Sequence, residues 1–443
     1  MRRISSQPRL LLWIDRYLGS PLCAFFTGLR SVFGRRRAVT VAQPPRSILF
    51  LKLAEQGSTV LAYDALSAAV AQVGAANVYF LAFEENRFVV DLLRIIPPEN
   101  VLPIVTRSPA AMVGSTLRLL RAIRRKRIDA CIDMEFFTRS SALLGILTGA
   151  RIRVGFHTYF GEGPYRGDLL THRVLYNPHL HTSETFLSLV RALEIPPDQF
   201  PTFPFVPDLG GARPLVDPER SRGAGALGPT AFWPESRTMP SAPGGRAPPN
   251  FEPTAAELDD VRHLIGPQPG RLILLNANCS DLLPLRKWAD SNYVSLARRL
   301  LQTDSDLTIA FTGSREEMPR VAELAAAVGS PRAFSVAGRT TLRQLLVLYC
   351  LADILITNDS GPAHFAGLTP IDVIALFGPE TPLLFAARGP RSHPLWAGLA
   401  CSPCVNAFNS RQSACRNNVC MQQITVDQVS TLAEKILAQR VLS

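Results

Sequence analysis

Short apolar runs alternate with helical stretches through the first half of the chain. The helical stretches that the periodicity predicts are Thr59–Val73, Ala110–Arg127, Arg139–Thr148 and Ser183–Leu193. The apolar runs, rich in Ile, Val, Leu and Phe, are Ile48–Leu53, Val78–Phe83, Val101–Ile104, Ala130–Met134 and Arg153–Phe156. Apolar strands without polar alternation are typical of a parallel sheet that helices cover on both faces.

A second set with the same pattern occupies the last part of the chain. Its predicted strands are Leu272–Asn278, Leu307–Gly313, Ala333–Ala337, Ile354–Asn358 and Asp372–Phe377. Its predicted helices are Ser291–Gln302, Glu316–Val328, Leu342–Leu351 and Pro362–Leu368. Two such sets predict an α/β chain of two Rossmann-like domains facing each other across a cleft, with the ligand at the carboxyl ends of the strands.

Changes in composition divide the chain into segments. We predict a basic amphipathic leader over residues 1–45, a first domain over 46–206, a Pro- and Gly-rich linker or insertion over 207–253, a second domain over 254–426 and a terminal helix over 427–443. The linker assignment follows from its many Pro and Gly residues and its few periodic apolar positions.

The leader combines an apolar helical face with flanking arginines. Its longest uncharged run, Tyr17–Leu29, is shorter than the roughly 20 residues that span a bilayer. The apolar positions at helical spacing are Leu22, Phe25, Phe26, Leu29, Val32 and Phe33. With arginines on both sides, this pattern predicts a helix that docks on an anionic membrane surface. The alternative is a helix packed on the protein's own surface.

The net charge and the cysteine content indicate which classes of partner and which cellular compartment to expect. Lys and Arg number 47 against 36 Asp and Glu, a net charge of +11, which favours anionic partners such as phosphorylated sugars or acidic lipids. Nucleic acid is disfavoured, because no zinc-finger or RNA-binding signature is present. Nothing resembles a secretory signal, so we expect a cytoplasmic protein with reduced thiols.

Four of the eight cysteines cluster near the end of the chain. Cys401, Cys404, Cys415 and Cys420 approximate the ligand spacing of a structural zinc site. The alternative is a set of buried or redox-labile thiols in a loop.

The most informative stretch is a predicted turn from strand to helix. It runs Asn358-Asp-Ser-Gly-Pro-Ala-His364. Asp359 or Ser360 can cap the helix, and Gly361 allows a ligand to approach the backbone. The free N–H groups of a first helical turn favour an anion, so this corner predicts a diphosphate site that includes His364. An ordinary capped turn is the alternative.

Three further segments follow predicted strands in the second half. Asn278 ends one strand, and the loop after it carries Arg286 and Lys287, whose charges suit phosphate. Glu316 follows the next strand and could accept hydrogen bonds from ribose hydroxyls or cap its own helix. A solvated basic loop is the alternative reading of Arg286 and Lys287.

Together these segments resemble glycosyltransferase family 9, the family of ADP-heptose:lipopolysaccharide heptosyltransferases. The resemblance rests on Asn358–His364, on Phe377-Gly-Pro379, on the Asn276 to Trp288 segment and on Asp133–Phe156. It implies a GT-B fold, with the nucleotide diphosphate held in the second half by Arg286, Glu316, Asp359, Ser360, Gly361 and His364. It also implies that the acceptor binds the first half.

The first loop departs from the family pattern. The family's loop usually ends in an Asp that is the expected general base, whereas here it reads Lys52-Leu-Ala-Glu-Gln-Gly-Ser58. A hydroxyl at Ser58 is not a base at neutral pH without help, so we assign the base to Glu55. Asp133 and Glu135, which end a neighbouring predicted strand, are the competitors.

The resemblance implies an inverting, metal-independent transfer of a heptose-like sugar from a nucleotide-diphosphate donor to a lipopolysaccharide-type or other envelope glycan. The expected partners are therefore the donor, a glycolipid or saccharide acceptor, and the inner face of the cytoplasmic membrane. A non-catalytic nucleotide-sugar or polyanion-binding protein is the alternative, because Ser58 replaces the usual acid. A two-domain nucleotide-sugar epimerase is a third possibility.

Overall fold

A computed structural model describes residues 8–33, 44–157, 165–197, 251–266, 270–279, 283–409 and 411–441. Two six-stranded sheets form its centre, and every pair of neighbouring strands is parallel. The prediction of two α/β halves is thereby confirmed.

The first half is built on the strand order β3-β2-β1-β4-β5-β6. Its strands are β1 (Ile48–Leu51), β2 (Val78–Phe83), β3 (Val101–Ile104), β4 (Ala130–Asp133), β5 (Ile152–His157) and β6 (His172–Leu175). The helices that follow the leader here are α3 (Gln56–Leu61), α4 (Tyr63–Val73), α5 (Arg87–Leu93), α6 (Pro109–Lys126), α7 (Arg139–Leu147) and α8 (Thr182–Arg191). The predicted helix Thr59–Val73 is thus two helices, α3 and α4, which meet at Ala62.

The second half repeats the arrangement in the order β12-β11-β10-β7-β8-β9. Its strands are β7 (Arg271–Asn276), β8 (Leu307–Phe311), β9 (Ala333–Ser335), β10 (Ile354–Asn358), β11 (Asp372–Phe377) and β12 (Ser392–Trp396). Its helices are α9 (Ala255–Ile265), α10 (Asp290–Thr303), α11 (Met318–Val328), α12 (Leu342–Leu351), α13 (Gly361–Ala366), α14 (Pro382–Phe385), α15 (Val419–Gln422) and α16 (Val426–Val441). Helix α16 packs against α10, within the second half.

Burial on both faces explains the unbroken apolar strands. Strand β1 is fully buried, with Ile48 and Phe50 packed in one hydrophobic cluster and Leu49 and Leu51 in another. Because successive side chains of a strand point to opposite faces, each face of the sheet needs its own apolar partners. The helices on the two faces supply them.

The leader forms two helices, α1 (Pro8–Tyr17) and α2 (Gly19–Phe33), and α2 packs along α7. Among the described residues, no helix is long and apolar enough to cross a membrane. The residues of the predicted apolar face do not all point the same way. Leu22, Phe25, Leu29 and Val32 are exposed, whereas Phe26 packs against the protein. The side chain of Phe33 lies outside the described residues.

The two halves meet through the helices that begin at the carboxyl ends of β1 and β10. Helix α3 packs against α13, and the contact is close at Gly57. A Cβ atom on Gly57 would lie 2.6 Å from Cδ2 of His364. At a second point, Nε2 of His181 lies 3.1 Å from the Ala386 carbonyl oxygen, and Arg388 donates to Glu184 at 2.9 Å.

The domain boundaries stay predictions. Residues 198–250, which contain most of the predicted linker, lie outside the described residues. At the linker's end, the Phe251 amide donates to the Leu368 carbonyl oxygen at 2.7 Å, which joins this point of the chain to the second half.

Candidate functional site

The loop after β1 presents a carboxylate at the boundary between the halves. Glu55 adopts a left-handed backbone conformation (φ 67°) and precedes α3. Its carboxylate lies 3.3 Å from Nζ of the fully buried Lys52 and accepts a hydrogen bond from Ser58 Oγ at 3.2 Å. Ser58 also donates to the Glu55 backbone oxygen at 2.9 Å. The hydroxyl at the family's acid position therefore holds Glu55 in place.

The two competing carboxylates are engaged elsewhere. Asp133 is buried, where it pairs with Arg166 and accepts a hydrogen bond from Ser141 at 2.8 Å. Glu135 accepts from the backbone amides of Leu53 and Ala54 at 2.6 and 3.2 Å and pairs with Lys52 at 3.3 Å. Both carboxylates thus fix the ends of β1 and β4, whereas about a third of the Glu55 side chain (32%) is exposed.

The predicted phosphate corner lies at the interdomain boundary. Strand β10 ends at Asn358, and α13 begins at Gly361 next to α3 of the first half. Ser360 and Gly361 are partly exposed, and Ser360 Oγ donates back to the Asn358 carbonyl oxygen at 3.1 Å. Asp359 is buried, as is His364 one turn into the helix.

Several buried polar atoms without a hydrogen-bond partner lie close together at this corner. Within the part of the chain that the structure describes, no hydrogen bond reaches Oδ2 of Asp359, Oε1 of Glu380, Nδ1 of His364 or Nε of Arg286. Buried polar atoms are nearly always satisfied in native proteins, and exceptions mark strain, function or a missing ligand. The cluster is therefore a candidate for a polar ligand.

Arg286 joins Asp359 and His364 in this cluster, whereas Asn278, Lys287 and Glu316 do not. Its Nη1 lies 3.4 Å from Glu380 and 3.7 Å from Asp359. Lys287 instead pairs at 3.1 Å with Asp290, the first residue of α10. Asn278 is buried and donates to the Thr312 carbonyl oxygen at 3.1 Å, a contact that ties β7 to β8.

Glu316 is exposed in the turn before α11. The residue at the N-cap of α11 is its neighbour Glu317, which makes no side-chain capping hydrogen bond and instead accepts from the Ser314 amide at 2.7 Å. No described contact ties Glu316 to the cluster.

The loop between β12 and α15, residues 397–418, crosses from the second half to the first, and we call it the bridging loop. Its Arg411 pairs with Glu55 of the first half and lies 3.6 Å from Glu380 of the second. The guanidinium also lies over the rings of Phe136 and Phe385, at 5.9 and 5.2 Å. One arginine therefore links the acidic groups of both halves.

A second side chain of the bridging loop packs into the first half. Phe408 stacks on Phe137 with ring centroids 5.5 Å apart and meets Tyr176 edge to face at 5.2 Å. These rings belong to a larger aromatic cluster in the first half. The bridging loop thus fastens the halves by both an ion pair and aromatic contacts.

Burial and neighbouring charged side chains shift the pKa values of Glu55 and Asp359 in opposite directions. Burial alone would raise the pKa of Glu55, but Arg411 and Lys52 outweigh it and lower the pKa to about 2. Burial and the neighbouring charge of Glu380 raise the pKa of Asp359 well above its usual value, against the pull of Arg286. Asp359 is therefore protonated more readily than an ordinary aspartate.

The imidazole of His364 is neutral in this environment. Burial and the nearby charge of Arg286 lower its pKa to about 4. A neutral imidazole can donate or accept one hydrogen bond without adding charge to the cluster.

The zinc site predicted at the four clustered cysteines stays a prediction. Among the described residues, no group of three or more Cys, His, Asp or Glu side chains is arranged to hold a metal ion. Cys420 is buried beside Gly378, Cys401 and Cys415 are exposed, and the Cys404 sulfur accepts from Ser413 Oγ at 3.2 Å.

Sequence reasoning missed Lys52, Glu380 and Arg411. Lys52 and Glu380 lie just beyond β1 and β11, so their positions at the carboxyl ends of strands were a usable signal. Arg411 follows no strand, and the pairing that recruits it spans 356 positions of the chain. No local pattern marks such a residue.

Comparison with known proteins supports the family resemblance. Residues 249–414 match the model of glycosyltransferase family 9 (heptosyltransferase). The lipopolysaccharide heptosyltransferase 2 of Salmonella typhimurium is 29% identical over 128 residues, which cover 28% of this chain and 34% of that protein. The lipooligosaccharide heptosyltransferase 2 of Haemophilus influenzae is 31% identical over 135 residues, covering 30% and 36%. The chain thus spans about a third of the length of these relatives.

Solved structures match over a longer stretch. The E. coli ADP-heptose lipopolysaccharide heptosyltransferase II aligns with a TM-score of 0.62 at 16% identity, covering 89% of this chain and 99% of that one. A family 9 glycosyltransferase from Veillonella parvula aligns with a TM-score of 0.60 at 14% identity, covering 90% and 100%. At these identities the match shows the fold, and the predicted GT-B architecture is confirmed.

Proposed function

We propose that this chain is an inverting glycosyltransferase with a nucleotide-diphosphate sugar as donor. The match of residues 249–414 to the glycosyltransferase family 9 model supports this proposal. The observation that carries the proposal is the group of charged side chains at the interdomain boundary. Glu55 of the first half and Asp359, Glu380 and Arg286 of the second half converge there around Arg411. A two-substrate transfer needs groups from both halves at one point.

We assign the donor's diphosphate to the start of α13 and to Arg286. A solved E. coli heptosyltransferase of this fold was determined with ADP, which supports a nucleotide diphosphate as the leaving group. The partners that Arg286 and Arg411 hold in the structure are carboxylates, and a diphosphate would offer both arginines stronger bidentate contacts. Fixed positive charge near the departing oxygen stabilises the transition state, so we expect no metal ion to be required.

In the proposed reaction, Glu55 takes a proton from an acceptor hydroxyl. The acceptor oxygen then bonds to the anomeric carbon from the face opposite the diphosphate, the bond from that carbon to the diphosphate oxygen breaks, and the configuration inverts. Glu55 can act as a base only when Arg411 leaves it, because a carboxylate with a pKa of about 2 is a weak base at neutral pH. Donor binding would draw Arg411 to the diphosphate and free Glu55.

For the acceptor we propose a lipopolysaccharide-type glycolipid and for the donor a heptose-like sugar. The names of the Salmonella and Haemophilus relatives support this choice. Such an acceptor places the reaction at the inner face of the cytoplasmic membrane.

The first test replaces Glu55 with Gln in the full chain. The donor is first chosen by thermal shift among ADP-, GDP-, UDP- and TDP-sugars, because a bound ligand raises apparent stability. We expect transfer to fall by about 10²–10⁴-fold, the usual contribution of a general base, with donor binding kept. Glu99→Gln, an exposed carboxylate in the turn before β3, is the control and should leave transfer unchanged. Full turnover by Glu55→Gln would remove Glu55 from this role.

The second candidate is a non-catalytic nucleotide-sugar or polyanion-binding protein. The observation that favours it is the double neutralisation of Glu55 by Lys52 and Arg411, with Ser58 where the family has its acid. Donor binding without transfer or donor hydrolysis, in wild-type protein supplied with several acceptors, would support this function. Detectable transfer excludes it.

A further inference from the structure

The leader helices are fastened to the first half by their polar side chains. Asp15 of α1 accepts from the amides of Arg139 and Ser140 at 2.9 and 2.8 Å, and so caps the start of α7. In α2, Thr27 accepts from the Asp168 amide at 2.8 Å, and Arg30 donates to the Leu170 carbonyl oxygen at 3.2 Å. The helices therefore have a defined position on the protein.

The apolar side chains of the same helices point to solvent. They recur every three or four residues and thus share one face, and their exposed fractions lie between 42% and 76%. They are Leu22, Phe25, Leu29 and Val32 of α2, together with Leu18 in the link between α1 and α2. In α1, Trp13 and Tyr17 are 55% and 56% exposed and contact each other with ring centroids 5.2 Å apart.

An ordinary surface helix turns its apolar face inward, whereas α2 carries apolar side chains on its outward face as well. The inward contacts of α2 include Cys23 and Phe26, which pack with Ala142 and Leu169. A contiguous exposed apolar surface of this kind marks an interaction site, since leaving it in water costs free energy in proportion to its area.

Positive charge lies at one end of this apolar face and flanks it in the sequence. Arg16 is exposed beside Tyr17, with its guanidinium 5.8 Å from the ring. Past the far end of α7, Arg124, Arg127 and Arg151 line a cavity of about 330 Å³ together with Asp129, which pairs with Arg151 at 3.4 Å. In the sequence, arginines at positions 2, 3, 9 and 35–37 flank the helices.

We propose that the exposed face of α1 and α2 docks on an anionic lipid bilayer without crossing it. The charges favour a bilayer over a second copy of the chain, because a symmetric pair would bring arginines against arginines. Trp13 and Tyr17 suit the level of the lipid headgroups, where aromatic side chains with a polar edge are enriched. The helices of 10 and 15 residues are too short to span the bilayer.

Docking in this way also orients the cleft. Asp15 caps α7 at Arg139, and Phe137, two residues earlier, contacts Phe408 at the interdomain boundary. The bilayer would therefore lie beside the mouth of the cleft, where a glycolipid acceptor could enter from its own membrane. This orientation rests on the proposed function, whereas lipid binding itself does not.

The test measures sedimentation of the full chain with vesicles of phosphatidylglycerol and phosphatidylethanolamine, and with vesicles of phosphatidylcholine. We expect binding to the anionic vesicles that weakens at high salt, and at least tenfold weaker binding to the neutral ones. The triple variant Phe25→Ser, Leu29→Ser, Val32→Ser should bind the anionic vesicles at least tenfold more weakly. Its unfolding temperature should match the wild type, because all three side chains are exposed.

Val113→Ser with Leu117→Ser is the matched control, since both side chains are exposed apolar residues of α6. It should bind vesicles like the wild type. Pelleting of the triple variant with anionic vesicles as strongly as the wild type would overturn the proposal. So would a lipid-free wild-type dimer, seen by light scattering, that the triple variant loses. Vesicle binding without any sugar transfer would contradict the proposed function and leave the membrane face supported.

Discussion

At the residue scale, the arrangement around Glu55 is the most consequential feature of the chain. Three neighbours act on one carboxylate. Lys52 and Arg411 hold it ionised, and Ser58 orients it by a hydrogen bond. Where the family has an acid, this chain has a hydroxyl three positions after a carboxylate. In the proposed function, Glu55 and Ser58 together take the place of that single acid.

Arg411→Gln should raise the pKa of Glu55, because it removes the largest charge that lowers it. A general base must be deprotonated, so the acid limb of the kcat/KM profile should move to higher pH in this variant. The measurement is the pH dependence of transfer between pH 4 and pH 9, where the wild type should show no acid limb from Glu55, whose pKa is about 2, and the variant should lose activity towards the acid end. Arg262→Gln, an exposed surface arginine of α9, is the control and should reproduce the wild-type profile. An unshifted limb in Arg411→Gln would show that Arg411 does not set the ionisation of the base.

The site was predictable from the sequence only where local rules apply. The turn from Asn358 to His364 combines a strand end, a helix start and a small residue, and the structure places it at the interdomain boundary. Arg286 joined the same cluster, whereas the adjacent Lys287 turned to Asp290. Neighbouring residues of one loop point in different directions, and the sequence alone does not state which of them faces the cleft.

At the scale of elements, the contact between α3 and α13 brings the two halves together. Gly57 is the reason that these short helices can approach so closely. Its backbone faces the ring of His364, and the space between them leaves no room for a methyl group. Small residues are found where two backbones or a backbone and a ring must meet.

Gly57→Ala should therefore push α3 away from α13. The added Cβ would lie 2.6 Å from His364 and 3.4 Å from the Gly361 Cα atom, so we expect a loss of about 1–3 kcal/mol in the free energy of unfolding and a lower transfer rate. Urea denaturation and the transfer assay measure the two effects. Gly114→Ala in α6 is the control, because nothing lies within 4 Å of its added Cβ. It should stabilise the protein slightly. A neutral Gly57→Ala would contradict this view of the interface.

The elements that sequence analysis missed are the weakly patterned ones. Strands β6 and β12 form edges of the two sheets; only His172 and Val174 of β6 are buried, and every side chain of β12 is partly exposed. Strand β12 also contains Pro394, a residue that disfavours a strand assignment except at an edge. The bounds of the buried central strands were predicted within a few residues, because a short continuous apolar run is typical of a strand that is buried on both faces.

At the scale of the whole molecule, the bridging loop determines how firmly the halves are joined. Arg411 contributes an ion pair and Phe408 contributes two aromatic contacts, both directed into the first half. Opening of the cleft must break these contacts. Closure and opening of domains often limit turnover in enzymes that enclose their substrates.

Phe408→Ala should loosen the halves without unfolding either sheet. Two aromatic contacts of about 0.5–1.5 kcal/mol each predict a loss of about 1–3 kcal/mol in interdomain stability. Small-angle X-ray scattering should then give a larger radius of gyration, and saturating donor should reverse part of the increase. Val419→Ala, a partly exposed residue at the start of α15, serves as the control and should not change the scattering. An unchanged radius for Phe408→Ala would mean that other contacts hold the cleft closed.

The position of α16 has a topological consequence. In the described part of the chain, the six strands of the first sheet all precede residue 197, the six strands of the second sheet all follow residue 251, and the last helix stays with α10. A break in the backbone anywhere in that interval would leave both sheets with all six strands. Each fragment would therefore keep a complete sheet, although one hydrophobic cluster contains residues of both halves, so the two fragments would have to associate to restore it.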